Sequence, residues 1–400
     1  MSLLLLFSNA ATAAPVTPPH GANNATPTLY PAPRRLTPFY EVYLTDITTR
    51  RIAVVRRFES LTYSRVLNGV GEFELTLASD FDTSLLREGG LVEVHRAYDG
   101  ASSPKLDFIG FILGEPEYFT ANNNYFVKVK GPDLNHMLTW REQVGYTIVA
   151  EVNGAVDNNM RFFVDQNLGL AAATGRSLVN DYSFSVEPNR SWANNMYVQV
   201  DRRPLLDYLG GLAKQSAENS TKRVKLFYGV VPTGLNPLKV QFQVRPYLWG
   251  VDRTATGSLP VVLRPGRGLR NVVIERDATD EKTAIYVEYN NGTIASPITN
   301  DARLYTSPAG RREGYLNVND TGDASVAADA ARVALRDQRR IYRVRGEVEQ
   351  VRGAALGDYA LGDHISLAAR GILSTVRVDS YSVTVANGGD GVAVKYEYVE

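Results

Sequence analysis

The sequence predicts a mainly β protein with α/β insertions, built as two small antiparallel β-barrels with peripheral insertion domains. Three observations carry this. Apolar residues recur at every second position through many short runs, the spacing of a strand with one buried face. Tyrosine is abundant at 22 residues, and the 33 glycines fall largely between the alternating runs, which is the composition of sheet joined by tight turns. The runs also form two blocks separated by a stretch with helical spacing. At 400 residues and 44% hydrophobic content the chain can bury sizeable cores, and about 100–200 residues per domain implies two to four domains.

In chain order, "MSLLLLFSNAATAAP" has an apolar run, Leu3 to Phe7, with no preceding positive charge. It is shorter than the roughly 7–15 residues of a signal-peptide core. Despite the cleavage-like triplet Ala11-Thr12-Ala13, the expectation is an uncleaved arm. Seven prolines between Pro15 and Pro38 make residues 1–38 an extended tether for a neighbouring surface to hold. Residues 39–142 are the first expected barrel. "YEVYLTD" (40–46), "RIAVV" (51–55), "EFELTLA" (72–78), "LVEVHRAY" (91–98), "FIGFILGEPEYF" (108–119) and "YFVKVK" (125–130) read as its strands. In "EFELTLA", Phe73, Leu75 and Leu77 share one face, and Asn68-Gly69 and Gly89-Gly90 are turn signals.

Residues 143–220 are an expected α/β insertion. "AVDNNMRFFVDQNLG" (155–169) has helical spacing. "DRRPLLDYLGGLAKQSAE" (201–218) has Asp201 as a cap, Pro204 in the first turn and Leu205, Leu209, Leu212 and Ala213 as a buried stripe. Residues 221–269 hold the strands "VKLFYGV" (224–230) and "LKVQFQVRPYLW" (238–249), which are candidates to join the first barrel, and a connection. Residues 270–400 are the second expected barrel, with strands "RNVVIERD", "KTAIYVEYN", "IYRVRGEVEQV", "HISLAA", "ILSTVRVDSYSVTVA" and "VAVKYEYV". A helix is expected at about 323–340 with Val326, Ala330, Val333 and Ala334 inward and Asp323 as its cap.

Charge is balanced, 43 basic against 43 acidic residues, which argues against a dedicated nucleic-acid or anionic-membrane binder. No cysteine is present, so disulfides, cysteine-ligated metals and thiol nucleophiles are excluded. No apolar run approaches the roughly 20 residues of a membrane helix. The histidines His20, His95, His136 and His364 match no ligand spacing, and phosphate-loop, GxSxG and GxGxxG signatures are missing. No catalytic, cofactor-binding or metal-binding residue is therefore assigned. His95 is expected opposite Val92 and Val94, and His136 beside a turn capped by Asp133.

"NVNDTGD" (317–323) lacks EF-hand spacing and is better read as a helix cap. Arg332, Arg336 and Arg340 share a helix face continued by Arg343 and Arg345, expected to be solvated and offset by Asp329, Asp337, Glu347 and Glu349. In "LGDYALGDHISL" (356–367), carboxylates beside His364 suggest a site. The structural reading makes Asp358 and Asp363 turn-amide acceptors, with Tyr359 and Leu361 inward.

The order of these segments, "YEVYLTD", "FESLTYSRVLNGVGEFELTLA", "LVEVHR", "FIGFILGEPEY", "VKVKGPDLNHML", "DRRPLLDYLGGLAKQS", "LRNVVIERDATDEKTAIYVEYNNG" and "DYALGDHISL", resembles siphophage tail hub proteins over most of residues 40–400. The resemblance implies two tail-tube-like barrels per chain and a homotrimer whose six barrels match a hexameric tube. It implies partners among the tail tube or distal tail protein and the tip and fibre proteins, with passage of genomic DNA but no sequence-specific binding. The implied place is the distal end of the virion tail, after assembly in the host cytoplasm, with no enzymatic activity. Two rivals from other classes are a cell-wall-degrading tail-tip enzyme, whose paired carboxylates sequence would not reveal, and a carbohydrate-binding attachment module, favoured by the aromatics.

Overall fold

The computed structural model describes residues 36–399 apart from 99–102, 122–123, 144–150, 200–201, 220, 258, 291, 300–309, 319–323, 370–371 and 387–388. His20, nearly all of the expected arm and the expected caps Asp201 and Asp323 lie outside the described residues.

The first alternating block forms β1 (Pro38–Thr45), β2 (Arg51–Val55), β3 (Ser60–Val66), β4 (Glu72–Ala78), β5 (Leu91–Tyr98), β6 (Lys105–Phe111), β7 (Glu117–Ala121) and β8 (Asn124–Pro132). They make two antiparallel layers, β2-β1-β5-β6 and β3-β4-β8-β7. Val42, Leu44, Val92 and Val94 from one layer pack with Leu61, Tyr63, Leu75 and Val127 from the other. The run expected as one strand over 108–119 is two. Gly114 at φ +85° and the following Pro116 break it, so β6 and β7 belong to different layers. Where β8 crosses the end of β6, Gly131 is obligatory, because a Cβ there would lie 1.8 Å from the Phe111 carbonyl oxygen.

The insertion comprises β9 (Glu151–Ala155), α1 (Val156–Leu168), α2 (Val179–Tyr182), β10 (Ser185–Val186), β11 (Asn195–Gln199), α3 (Leu205–Glu218), β12 (Leu226–Leu235) and β13 (Leu238–Pro246). Leu205, Leu209, Leu212 and Ala213 are buried, as the spacing requires. β12 and β13 do not enter the first unit's layers; they pair with each other and with β10. The apolar stripes of α1 and α3 need a sheet to cover them, and Val240, Phe242 and Val244 supply it in a second core.

The rest forms β14 (Asp252–Arg253), β15 (Val262–Pro265), β16 (Gly268–Asp277), β17 (Ala284–Tyr289), β18 (Thr293–Ile294), β19 (Ile298–Thr299), β20 (Glu313–Val318), α4 (Ala324–Asp337), β21 (Ile341–Val348), β22 (His364–Ala369), β23 (Ile372–Ala386) and β24 (Gly389–Tyr398). Six of these close into a barrel in the order β15-β16-β21-β24-β23-β22 and back to β15. β17, read in the sequence as a barrel strand, instead pairs with β18, β19 and β20 in a satellite sheet under α4. The buried stripe of α4 is one residue out of phase with expectation. Ala327 and Ala331 are fully buried while Val326 is 46% exposed, because the close approach of helix to sheet selects alanine over valine.

The 15 residues of β23 tie the molecule together. Its first part pairs with β22, and Ser380–Ala386 pair with β24 on one side and with β3 of the first unit on the other. One apolar core consequently runs from Val42 and Leu75 through Val383 to Leu367 and Tyr396.

Candidate functional site

A largely buried polar constellation sits where β23 joins the two β units. Asp107 of β6 accepts the Tyr381 hydroxyl at 2.7 Å, the Tyr63 hydroxyl and an ion pair from Arg96 Nη2 at 3.1 Å. Arg65 Nη1 donates to the Asp107 carbonyl at 3.3 Å. Arg96 Nη1 continues to the Tyr98 hydroxyl at 3.1 Å, and Tyr98 and Tyr40 both donate to Asp390 Oδ2, at 3.2 and 2.8 Å. Strand periodicity places these groups: Tyr381 is opposite Arg65 and Val383 opposite Tyr63 in the β23–β3 register.

Burial, reinforced by the neighbouring Asp107, pushes the Tyr63 and Tyr381 hydroxyls far above their ordinary range. Burial also works to strip Arg96 of its proton, but Asp107 and the surrounding tyrosines outweigh it and hold the guanidinium charged. The tyrosines are thus fixed donors and Arg96 a fixed cation. Such a cluster is placed to hold β3, β6 and β23 together.

Beside it lies a cavity of about 70 Å³ bordered by Arg65, Asp107, Asp133, Asn135, Val230 and Pro232. Burial pushes the Asp133 carboxyl up to about 6 against the lowering effect of the Gly71 and Asn135 amides and Arg65. Asp133 caps the short helical turn Leu134–Thr139 by accepting Asn135 N–H at 3.0 Å. His136 on that turn meets Thr139 Oγ1 at 3.0 Å, and burial lowers its pKa.

The other sequence candidates are dispersed. His95 lies on the face of β5 opposite Val92 and Val94, with its Nε2 3.4 Å from Glu93 Oε2 and 3.2 Å from Arg51 Nη2. Glu93 is fully buried and its Oε1 has no partner among the described residues. His364 is half-buried, its pKa lowered by burial and then by Arg377. No group of three or more His, Cys, Asp or Glu is placed to hold a metal among the described residues.

"LGDYALGDHISL" is a turn and strand start. Asp358 Oδ2 accepts the amides of Gly353 and Ala355 at 2.9 and 3.1 Å. Asp363 accepts Ala360 N–H at 2.9 Å and Val251 N–H at 2.6 Å, and also pairs with Arg253 at 2.9 Å. Tyr359 and Leu361 point inward. At φ +81°, Gly362 admits the Trp249 side chain, which a Cβ would meet at 2.6 Å.

The arginine stripe is paired, with partners mostly other than those expected from sequence. Arg332 binds Asp329 as expected, whereas Arg336 reaches Glu218 on α3, Arg340 reaches Glu281 and Arg345 reaches Glu275. The side chain of Arg343 and most of "NVNDTGD" lie outside the described residues.

Sequence reasoning missed two buried clusters. One is the junction, where Tyr381 and Asp390 meet Tyr40, Tyr63, Arg96, Tyr98 and Asp107 from more than 200 residues away, so no spacing announced it. The other is Arg161, 1% exposed, which pairs with Asp157 at 2.7 Å and with Glu187 at 2.9 Å. Asp157 and Arg161 stand four apart on α1, a signal available from sequence.

The chain thus combines a closed barrel, antiparallel except where β15 runs parallel to β16 and β22 and so departs from the all-antiparallel barrel expected from sequence, with a fused two-layer β unit and an α/β insertion. This fold is shared with phage and prophage tail proteins. A tail protein from Neisseria meningitidis MC58 is 12% identical, with 90% of this chain and 96% of that chain covered at a TM-score of 0.55. The 43 kDa tail protein of prophage MuSo2 from Shewanella oneidensis is 10% identical, with 90% and 98% covered at 0.59. Prophage tail protein gp18 from Listeria monocytogenes EGD-e is 14% identical, with 89% and 94% covered at 0.51. At these identities the likeness is one of fold. No known family's sequence pattern matches the chain, and no curated protein is similar to it in sequence.

Proposed function

We propose that the chain is a structural protein of a phage tail, of the hub type, with no catalytic step of its own. The observation that carries this reading is the shared fold: about nine-tenths of the chain aligns with nearly the whole length of proteins described as tail proteins. The junction cluster supports it from within, since its groups are arranged to hold two β units rigidly and none is poised as a nucleophile. In this reading three copies, each with a closed barrel and a fused two-layer unit, present six β units to a hexameric tube at the distal end of the tail, enclosing part of the path by which DNA leaves. The partners are further copies of the chain, the tube or distal tail protein, and tip and fibre proteins.

Gold-labelled antibody against the chain on purified tails tests this. Label confined to the distal end is expected; label along the tube or at the capsid end overturns it. The arm, residues 1–38, is proposed to lie along a neighbouring subunit. Its deletion is expected to lower incorporation into tails, and unchanged incorporation refutes that role.

A further inference from the structure

Where the chain enters the insertion and later passes the same point, it runs beside itself: Gln143 N–H donates to the Arg203 carbonyl at 2.9 Å and Leu205 N–H to the Arg141 carbonyl at 3.0 Å. Two arginines meet at this crossing. Arg141 Nε and Nη2 donate to the Arg176 carbonyl at 3.1 and 3.0 Å, and its Nη1 to the Trp140 carbonyl at 3.0 Å. Arg176 Nη2 donates to the Glu142 carbonyl at 3.0 Å and to Asn167 Oδ1. Every one of these acceptors is neutral. Among the described residues neither guanidinium forms an ion pair, whereas Arg245, Arg253, Arg336 and Arg377, half-buried like them, each meet a carboxylate.

Acceptors are short there as well as negative charge. Arg176 Nε and the Nε2 of Gln143, a fully buried residue, have no hydrogen-bond partner among the described residues. Gln143 already uses its side-chain oxygen to accept Asn167 Nδ2 at 2.6 Å. Burial, and then the adjacent Arg176 charge, lower the pKa of Arg141. The neighbouring carboxylates are turned to other use: Glu142 and Asp181 are exposed, and Asp165 accepts Leu170 N–H at 3.0 Å. Residues 144–150, "VGYTIVA", carry no acidic side chain. Two like charges are thus held side by side by carbonyls, with unpaired donors next to them, an arrangement whose electrostatic cost an anion would remove.

We propose that Arg141 and Arg176 together bind one oxyanion, a phosphate or carboxylate group. Guanidinium forks match both groups, and charge-assisted hydrogen bonds of this kind are the strong ones. The bound anion ties the connection between α1 and α2, which carries Arg176, to the crossing segment that carries Arg141. The site stands on these contacts alone, so it is independent of the tail reading.

Inorganic phosphate titrated into the full chain by calorimetry, at constant ionic strength with chloride as the balancing anion, tests this. Saturable binding below about 10 mM is expected. R141Q and R176Q are each expected to weaken it by about tenfold or more, because charged hydrogen bonds are lost. R267Q, at an exposed arginine on the turn between β15 and β16, is expected to leave it unchanged. R141K and R176K keep the charge, lose the fork and cover the case in which a glutamine variant fails to fold; they are expected to bind more weakly than wild type. A penta-glutamate peptide separates the two sources: displacement of phosphate assigns the site to a protein carboxylate, and failure to displace it assigns the site to a phosphoryl group. No saturation below that concentration, wild-type affinity in the variants of both arginines, or an equal loss in R267Q each overturns the proposal.

Discussion

The closed barrel and the two-layer unit use strands of the same kind and share β23, yet they treat their edges in opposite ways. In the barrel each of the six strands is paired on both sides, and its interior side chains, Leu367, Val376, Val378 and Tyr396 among them, are essentially inaccessible. The two-layer unit buries its inner faces equally well, with Leu61, Leu75 and Leu77 at zero exposure, but among the described residues β2, β6 and β7 each pair along one side only. Burial of side chains and pairing of backbone are therefore separate requirements, and a β unit can meet the first without the second. The closed barrel meets both within one chain.

Four experiments can break or sharpen that comparison. The largest effect is expected at the junction. Asp107→Ala leaves Arg96 without its ion pair and two buried hydroxyls without an acceptor, and removing one partner of a buried charge pair costs about 3–5 kcal/mol. Urea unfolding that shows a loss below about 1 kcal/mol would mean the cluster does not clamp the two units.

Next come matched core truncations. Leu75→Ala in the two-layer unit and Leu367→Ala in the barrel are each expected to cost about 2–5 kcal/mol, both within a single unfolding transition. Two separable transitions would show that β23 does not fuse the units.

Third is a pH dependence set by Asp133. A carboxyl whose folded pKa lies above its unfolded value stabilises the fold below the unfolded value, and that contribution fades as pH rises through about 6. Asparagine keeps the capping oxygen. The stability of wild type relative to Asp133→Asn should therefore fall by about 2 kcal/mol between pH 4 and pH 7, and a flat difference would contradict the burial argument. The smallest effect belongs to the exposed Lys214–Asp337 pair between α3 and α4: Lys214→Ala is expected to change stability by less than about 1 kcal/mol.

The legible parts of this fold were those with local causes. Period-two alternation located β4, β5, β22 and β23, and the stripe Leu205, Leu209, Leu212, Ala213 located α3. The aspartates of "LGDYALGDHISL" were readable as turn acceptors because their amide partners Gly353, Ala355 and Ala360 lie within a few residues. β3 was missed although Leu61 and Tyr63 alternate inward, because Ser60, Thr62 and Ser64 dilute the apolar signal. The phase of α4 was misread because alanine carries little hydrophobic contrast, and only the satellite sheet decides which alanines face it. What could not be read was any pairing of residues distant along the chain: the placement of β12 and β13, the sharing of β23, and the meeting of Tyr63, Asp107 and Tyr381.

That sharing also bears on synthesis. β3 finds its outer neighbour only in β23, roughly 300 residues later. A chain emerging from the ribosome has released its first strands long before the strand that completes their sheet exists. The β3 edge, bearing Leu61 and Tyr63, must therefore be shielded or remain unstructured until β23 has been made. The two-layer unit is begun well before the strand that finishes it is made.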